Sequence, residues 1–430
     1  MKKELNEKFV EWLSNSKGED RWMLDFRLMA YKKFLQMDNP TFGPKIDIDF
    51  NNINYYKNDD KKLQSDWNNV SNEIRNTFNT LGVIEAENKY LGGVSNQFES
   101  EVVYHKNITK KDIIFTSTDN ALKEYPELFK KYFNNLVKYD ENKYTALNSA
   151  LWSGGSFIYI PPHTKLDRPL QSYFRINSEN LGQFERTIII VDDYSSLEYI
   201  EGCTAKSYST SSLHAGVVEI YVGKHASCRY STIQNWSNDV YNLVTKRAIV
   251  DEYGKMEWID GNIGSGVTMK YPSSILKGDY SVGNSLSIAY AKNIQRLDAG
   301  AKMIHLGKHT KSNIVSKSIA TQGGESNYRG CVHITKDAMC SSAKVKCDTL
   351  ILDSKSSSNT YPKNIISNDS SVLEHEATIS KVSEEKLRYL MGKGLKEEKC
   401  MELLVLGFMA DLKKELPMEY AVELNRLIKD

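Results

Sequence analysis

The feature that most constrains this chain is a long run of short strand patterns after Trp152, interrupted at nearly regular intervals by turns and never by a helix. Segments such as SFIYIPP, RTIIIVDD, SLEYIEG, VVEIYVG, RYSTIQNW and MEWIDGNIG alternate apolar and polar residues and favour β-branched and aromatic side chains, as half-buried strands do. Polar or glycine-containing turns return around Tyr194, Lys224, Gly254, Val282, Lys308, Asp337 and Ser370, a spacing of roughly 26–33 residues. Such a repeat, built from short strands alone, predicts a solenoid. Each unit is too small to bury its own face, so neighbours stack into one continuous core. The chain is therefore read as mainly β, with a parallel β-helix over residues 146–378. A β-sandwich is the competing architecture, but it gives no reason for turns to keep this interval.

Helical patterns flank the repeat. Residues 5–37 read as two helices, with Trp12 and Leu13 on an apolar face of the first. Asp20 is placed to cap the second, where Trp22, Met23, Phe26, Met29, Ala30 and Phe34 recur at helical spacing. Residues 42–62 are polar and extended, and 66–81 and 125–137 are further helical patterns. These make a helical and mixed N-terminal domain over residues 1–145. After Thr378, Ser383 is a good cap for EEKLRYLMGKG, an apolar helix follows over 396–416, and Pro417 suits the first turn of a last helix. Residues 379–430 thus form a C-terminal helical domain, a cap for the solenoid and a docking face.

Charge excludes some partners. With 56 basic and 55 acidic residues the chain has no electrostatic case for nucleic acid or an anionic membrane surface. No signal-peptide pattern or long apolar run occurs, so a soluble, cytoplasmic protein is expected. The six cysteines, Cys203, Cys228, Cys331, Cys340, Cys347 and Cys400, form no CxxC pair. No GxxxxGK[ST] loop is present, so the chain is not expected to hydrolyse ATP, and no hydrolytic Ser/His/Asp or paired-carboxylate constellation stands out. His305 and His309 have the spacing of a helical metal pair, but their context is strand and turn.

Residues 347–376 concentrate the chemistry: Cys347, Glu374, His375 and Glu376 offer a thiol, an imidazole and two carboxylates, the donors of zinc and iron. On a strand, Glu374 and Glu376 share one face and His375 takes the other, so the three cannot hold one ion within a single chain unless the strand bends. A second subunit, or the strand carrying Cys347, would complete such a site. An edge strand with solvated charges is the plain alternative. Lys344 and Lys346 beside Cys347 are expected to favour its thiolate.

EHEATISK followed by SEEKLRYLMGKGL resembles the C-terminal signature of the SufB/SufD family of SUF-type iron–sulfur cluster assembly. The similarity continues through EGCTA (201–205), QNW (234–236), VTKR (244–247), TMKYP (268–272), DAGAKMIH (298–305), SKSIA (316–320) and YRG (328–330). Near the start, WMLDFRLMAY (22–31) and ESEVVYH (99–105) match as well. The resemblance implies a right-handed β-helix and a scaffold rather than an enzyme, whose cargo is a transient [2Fe–2S] or [4Fe–4S] cluster. It also implies that Cys347 and the EHE strand build the cluster at a subunit interface, with Cys347, His375 and Glu376 as metal ligands. Cys203 matches the position that accepts persulfide sulfur from a desulfurase system, a role calling for an accessible thiol of lowered pKa. Lys206 stands where members commonly carry proline. Arg175, Asn177, Gln234, Trp236 and Lys246 match a polar sulfur path inside the helix. A SufC-type ATPase would dock on the C-terminal domain, and the scaffold would pair with itself or with a SufD-type paralogue. A reduced flavin has been associated with the family complex, although the chain carries no dinucleotide fingerprint. Because SufD would lack the cysteine of EGC and the cysteine before EHEA, both present here, the SufB-like branch is favoured. A β-helix enzyme acting on carbohydrate would gather carboxylates along one face, and here they are scattered.

Overall fold

The computed structural model describes residues 4–57, 63–80, 83–107, 112–410 and Lys414. It shows the expected architecture: a parallel β-solenoid of about eight turns flanked by N- and C-terminal helices. Successive coils lay one strand on each of two long sheets, of ten and thirteen strands. Neighbours run parallel and in step; Ser196–Ala205, Ser227–Asn235, Lys255–Ile263, Val282–Lys292, Lys311–Thr321, Ser342–Ile351 and Val372–Lys381 follow one another along the ten-stranded sheet. Alternation decides which side chains face inward. Leu197, Tyr199, Cys228, Tyr230, Met256 and Trp258 from one sheet meet Ile189, Val218, Ile220, Ala248 and Leu276 from the other in the lumen.

The turns recur where the sequence repeat places them. At one corner of successive coils Tyr194, His225, Tyr253, Tyr280, His309 and Cys340 adopt left-handed φ of 53–60°. Side chains pay for that backbone with about 1–2 kcal/mol each. The compensation is visible: the rings of His163, Tyr194, His225, Tyr253, Tyr280 and His309 stack face to face with centroids 4.7–5.0 Å apart. Strand spacing of about 4.8 Å puts consecutive rings at stacking distance. His309 belongs to this ladder. His305 is buried, its ring nitrogens on Thr310 and Ser312.

The flanking elements cover the outer faces of both sheets. Helices Glu7–Lys17, Arg21–Gln36 and Lys143–Leu151 pack on the thirteen-stranded sheet, against Leu213, Leu243 and Met269. Asn72–Thr80, with Ile74 and Phe78, and the C-terminal helix Glu397–Phe408, with Val405, pack on the ten-stranded sheet against Ile259, Ile288 and Ile319. Three expectations shift. Asp20 sits at the N-cap without a side-chain cap bond. Met29 is exposed, because Arg27 takes the buried position and pairs with Glu19 at 2.6 Å. The helix expected over 125–137 ends at Tyr132. The last helix, from Pro417, lies outside the described residues. The ten-stranded sheet continues across residue 145, since Glu101–Asn107 and Gly93–Phe98 are its first two strands and Gly93–Phe98 pairs with Leu170–Ile176.

Among the described residues nothing covers the far end of the solenoid. Among the described residues the last strands, Thr360–Ile366 and Val372–Lys381, each pair with one neighbour only and leave an unpaired edge on both sheets. Tyr361, Ile366, Val372 and Ile379 are exposed there. Two unpaired edges side by side are a template for another chain's strands.

Candidate functional site in the solenoid lumen

Cys203 lies on the inner wall, 1% exposed, on the strand Ser196–Ala205. Period-2 alternation places Glu201 beside it on the same wall, its Oε1 3.8 Å from the thiol sulfur. From the opposite sheet Lys246 reaches across, its Nζ 3.0 Å from Glu201 Oε1, and the Tyr230 hydroxyl donates to the other carboxylate oxygen. The Lys246 ammonium lies 4.4 Å from the Tyr230 ring centroid, a cation–π contact. Burial disfavours the Glu201 charge, but Lys246 and Tyr230 together hold the carboxyl below its usual range. For Lys246 burial is likewise outweighed, by Glu201 and Asp260, and its pKa is raised. The thiol fares differently: burial, then Glu201 and Glu185, push Cys203 well above the ordinary thiol value. The expected accessible, acidified thiol is therefore corrected to a buried one held protonated, because the positive charge nearby is already spent on Glu201.

The network continues along the lumen. Asn242 donates to Gln234 Oε1 at 2.7 Å, and the two nitrogens of His214 lie 2.8 Å from Asn242 Oδ1 and Glu185 Oε1. Burial opposes protonation of His214, yet Glu185 outweighs it and raises the pKa. The Trp236 indole packs on His214, ring centroids 4.7 Å apart. One coil on, Lys270 bonds Asp260 at 2.9 Å and Gln234 Oε1 at 3.2 Å.

Cys347 occupies the same wall near the open end, 3% exposed, in an apolar setting of Ile314, Tyr328, Val332 and Val345. Burial pushes its thiol up to about 12, although the nearby Tyr328 hydroxyl favours the thiolate. Lys344 and Lys346 lie on the outer face, by Glu374 and Glu376 at 3.5 and 4.0 Å, so the expected lysine assistance is corrected: alternation turns both away from the sulfur. His375 faces inward and brings Nε2 to 3.9 Å from the Cys347 sulfur, while Asn364, from the facing last strand, lies 3.0 Å from its Nδ1. Cys347 and His375 thus come together, and Glu374 and Glu376 lie on the other side of their strand. Among the described residues no cluster of three or more His, Cys, Asp or Glu is assembled within one chain.

The profile of the SUF system FeS cluster assembly SufBD core domain matches residues 174–408, and that of the SufBD protein N-terminal region matches 16–172. The chain belongs to the SufBD family. It is 56% identical over 429 residues to iron–sulfur cluster assembly SufBD family proteins of Staphylococcus saprophyticus, Staphylococcus aureus and Staphylococcus epidermidis, covering 99% of this chain and 92% of each relative. In this SufBD protein the sequence motifs divide in space. Gln234, Trp236 and Lys246 lie inside with Cys203. Arg175 and Asn177 depart from the interior placement: Phe174 and Ile176 take the inward positions, and Arg175 bonds Thr204 and Asn177 on the outer side. Lys206, in place of proline, donates its backbone N–H to Ile176 O at 3.0 Å, a bond proline cannot make. The sequence reading missed Glu201, Tyr230, His214, Asp260, Lys270, Tyr328 and Asn364. Alternation from Cys203 would have found Glu201, Lys270 lies in TMKYP and Tyr328 opens YRG; the others need the fold.

Proposed function

We propose that this chain is the sulfur-accepting scaffold of a SUF assembly complex, taking persulfide sulfur at Cys203 and building the cluster at Cys347 and His375. The observation that carries this reading is one register row. Glu201, two residues from Cys203, aligns with Thr232, Asp260, Ser287, Ser316 and finally Cys347 along the inner wall. Five steps of about 4.8 Å separate the ends, roughly 24 Å in all. Buried charges are costly without partners, so paired acids and bases at one end of this row are retained at some expense, which supports a functional role.

Cys347 and His375 supply a soft and an intermediate donor for iron. Asn364 donates from its amide nitrogen to His375 Nδ1 and so holds the ring with Nε2 toward the Cys347 sulfur. The site is incomplete in one chain, and the two unpaired edges beside it offer a place for a second subunit, a SufD-type paralogue or a second copy. Glu376, with Glu374, stands on the outer face where such a subunit would meet it. A SufC-type ATPase docking on the C-terminal helices would supply the motion that opens this end.

Anaerobic reconstitution with iron and sulfide, followed by absorption and Mössbauer spectra of wild type and Cys347→Ala, tests the reading. Cluster bands in wild type that vanish in the variant are expected. Bands surviving in the variant would move the site to another thiol, and no bands in either chain alone or with its partner would favour a SufD-like structural subunit.

A further inference from the structure

Lys270 and Asp260 form a buried ion pair that the scaffold reading does not use. They come from opposite walls, Lys270 from Val267–Lys270 and Asp260 from Lys255–Ile263, and meet across the lumen at 2.9 Å, both at most 2% exposed. Their surroundings change character at this point. Toward Cys203 lie Glu201, Lys246, Gln234 and Tyr230. Away from it, the Asp260 row continues as Ser287, Ser316 and Cys347, and the row beside it runs from Asn262 through Ala289 to Ser318. On the facing wall Lys270 aligns with Ala299 and then Tyr328, which packs against Cys347. The pair therefore stands where a charged compartment gives way to rows of serine and alanine along the inner wall.

Three buried polar atoms there have no hydrogen-bond partner: Asp260 Oδ2, Asn262 Oδ1 and Gln234 Nε2. Orphaned donors and acceptors beside an ammonium mark room for a small polar guest. A sulfur anion entering this lumen needs a positive partner, since an isolated charge in an apolar medium is prohibitively costly. Lys246 is engaged by Glu201. Lys270 donates to Asp260 at 2.9 Å and to Gln234 Oε1 at 3.2 Å, which takes up two of the three N–H groups of its ammonium.

We propose that Lys270 and Asp260 are a hydrosulfide-binding station, where the ammonium, still paired with Asp260, takes a hydrosulfide ion on its third N–H and passes it along the serine row leading to Cys347. Binding is non-covalent, and no bond to sulfur forms or breaks there. The inference rests on the reading that sulfur passes from Cys203 to Cys347.

The test uses the full chain under anaerobic conditions, with Cys203 loaded with 35S-persulfide. A dithiol then releases hydrosulfide from the persulfide anion: it gives two electrons to the outer sulfur and its two protons to the products and becomes a disulfide, leaving the Cys203 thiol and HS⁻. Label arriving at Cys347 in the presence of iron is the readout. The informative variant is Lys270→Met with Asp260→Asn, which removes both charges at similar volume and orphans neither. It is expected to load Cys203 and to build clusters from added iron and sulfide as wild type does, while label arrival at Cys347 slows at least tenfold. Lys270→Arg, which keeps a cation, is expected to recover most of that rate. Wild-type transfer in the double variant, or a Lys270→Arg chain as slow as the double variant, would overturn the station. A wild-type chain that loads Cys203 yet never labels Cys347 would overturn the path itself.

Discussion

Cys203 and Cys347 lie on the same inner wall of one solenoid, both almost completely buried, in opposite settings. Cys203 is ringed by compensated charges, the Glu201–Lys246 pair and Tyr230, with His214–Glu185 in the same compartment. Cys347 sits among Ile314, Val332 and Val345, one coil from an open end, with a single imidazole in reach. The difference teaches that burial alone does not define either thiol. The first is enclosed by groups that can exchange protons and hold an anion. The second is enclosed by apolar side chains, and burial keeps its thiol protonated.

The largest expected effect separates the two directly. Cys347→Ala should abolish cluster retention while leaving the fold intact. Cys203→Ala should retain clusters built from free iron and sulfide and fail when sulfur comes from a persulfide donor; equal behaviour of the two variants in that pair of assays would erase the distinction. Next comes stability. Lys246→Met leaves Glu201 charged and unpaired, a loss of about 3–5 kcal/mol, whereas Cys347→Ala should cost only about 1 kcal/mol. Denaturant midpoints would show it, and similar shifts for both would mean that the charged compartment is not held by its pairs. Asn364→Ala should weaken iron retention at the open end by about tenfold, measured by competition with a chelator, with no change in Cys203 loading.

Two smaller effects sharpen the same contrast through pH. His214 near Cys203 has a raised pKa, so its contribution is complete below the unfolded value of about 6.5 and is lost as pH rises through the higher folded value. Burial lowers the pKa of His375 near Cys347, so the folded state resists the proton and stability falls as pH drops below about 6.5. Removing the imidazole by His214→Gln should flatten the alkaline side of the stability profile, and His375→Gln the acid side, in melting experiments across pH 5–9. Alkylation should mark Cys340 first, the exposed thiol, with Cys347 reacting only as pH climbs toward about 12; early labelling of Cys347 would show that the end coil opens unaided.

The fold was legible because its signal is periodic. Turns at Tyr194, Lys224, Gly254, Val282 and Lys308 recur with the solenoid's own repeat, and period-2 alternation names the inward residues once the strands are found. The sites were legible in part. Motif resemblance picked out Cys203, Lys246, Gln234, Trp236, Cys347 and His375. The inward or outward sense of Arg175 and Asn177 was not available from motifs, because a one-residue change of phase reverses every side chain.

What the sequence by itself determined is the repeat, the family and the residues that bring chemistry, since these depend on local pattern and on residue identity. Only the tertiary structure decided the partners: that Lys246 reaches Glu201, that Lys270 spans the lumen to Asp260, that Asn364 orients His375, and that both thiols are buried. Each of these contacts joins residues on different strands, 10 to 45 positions apart. Their meeting is fixed by how coils stack and how two sheets face each other, and no short stretch of sequence carries that geometry.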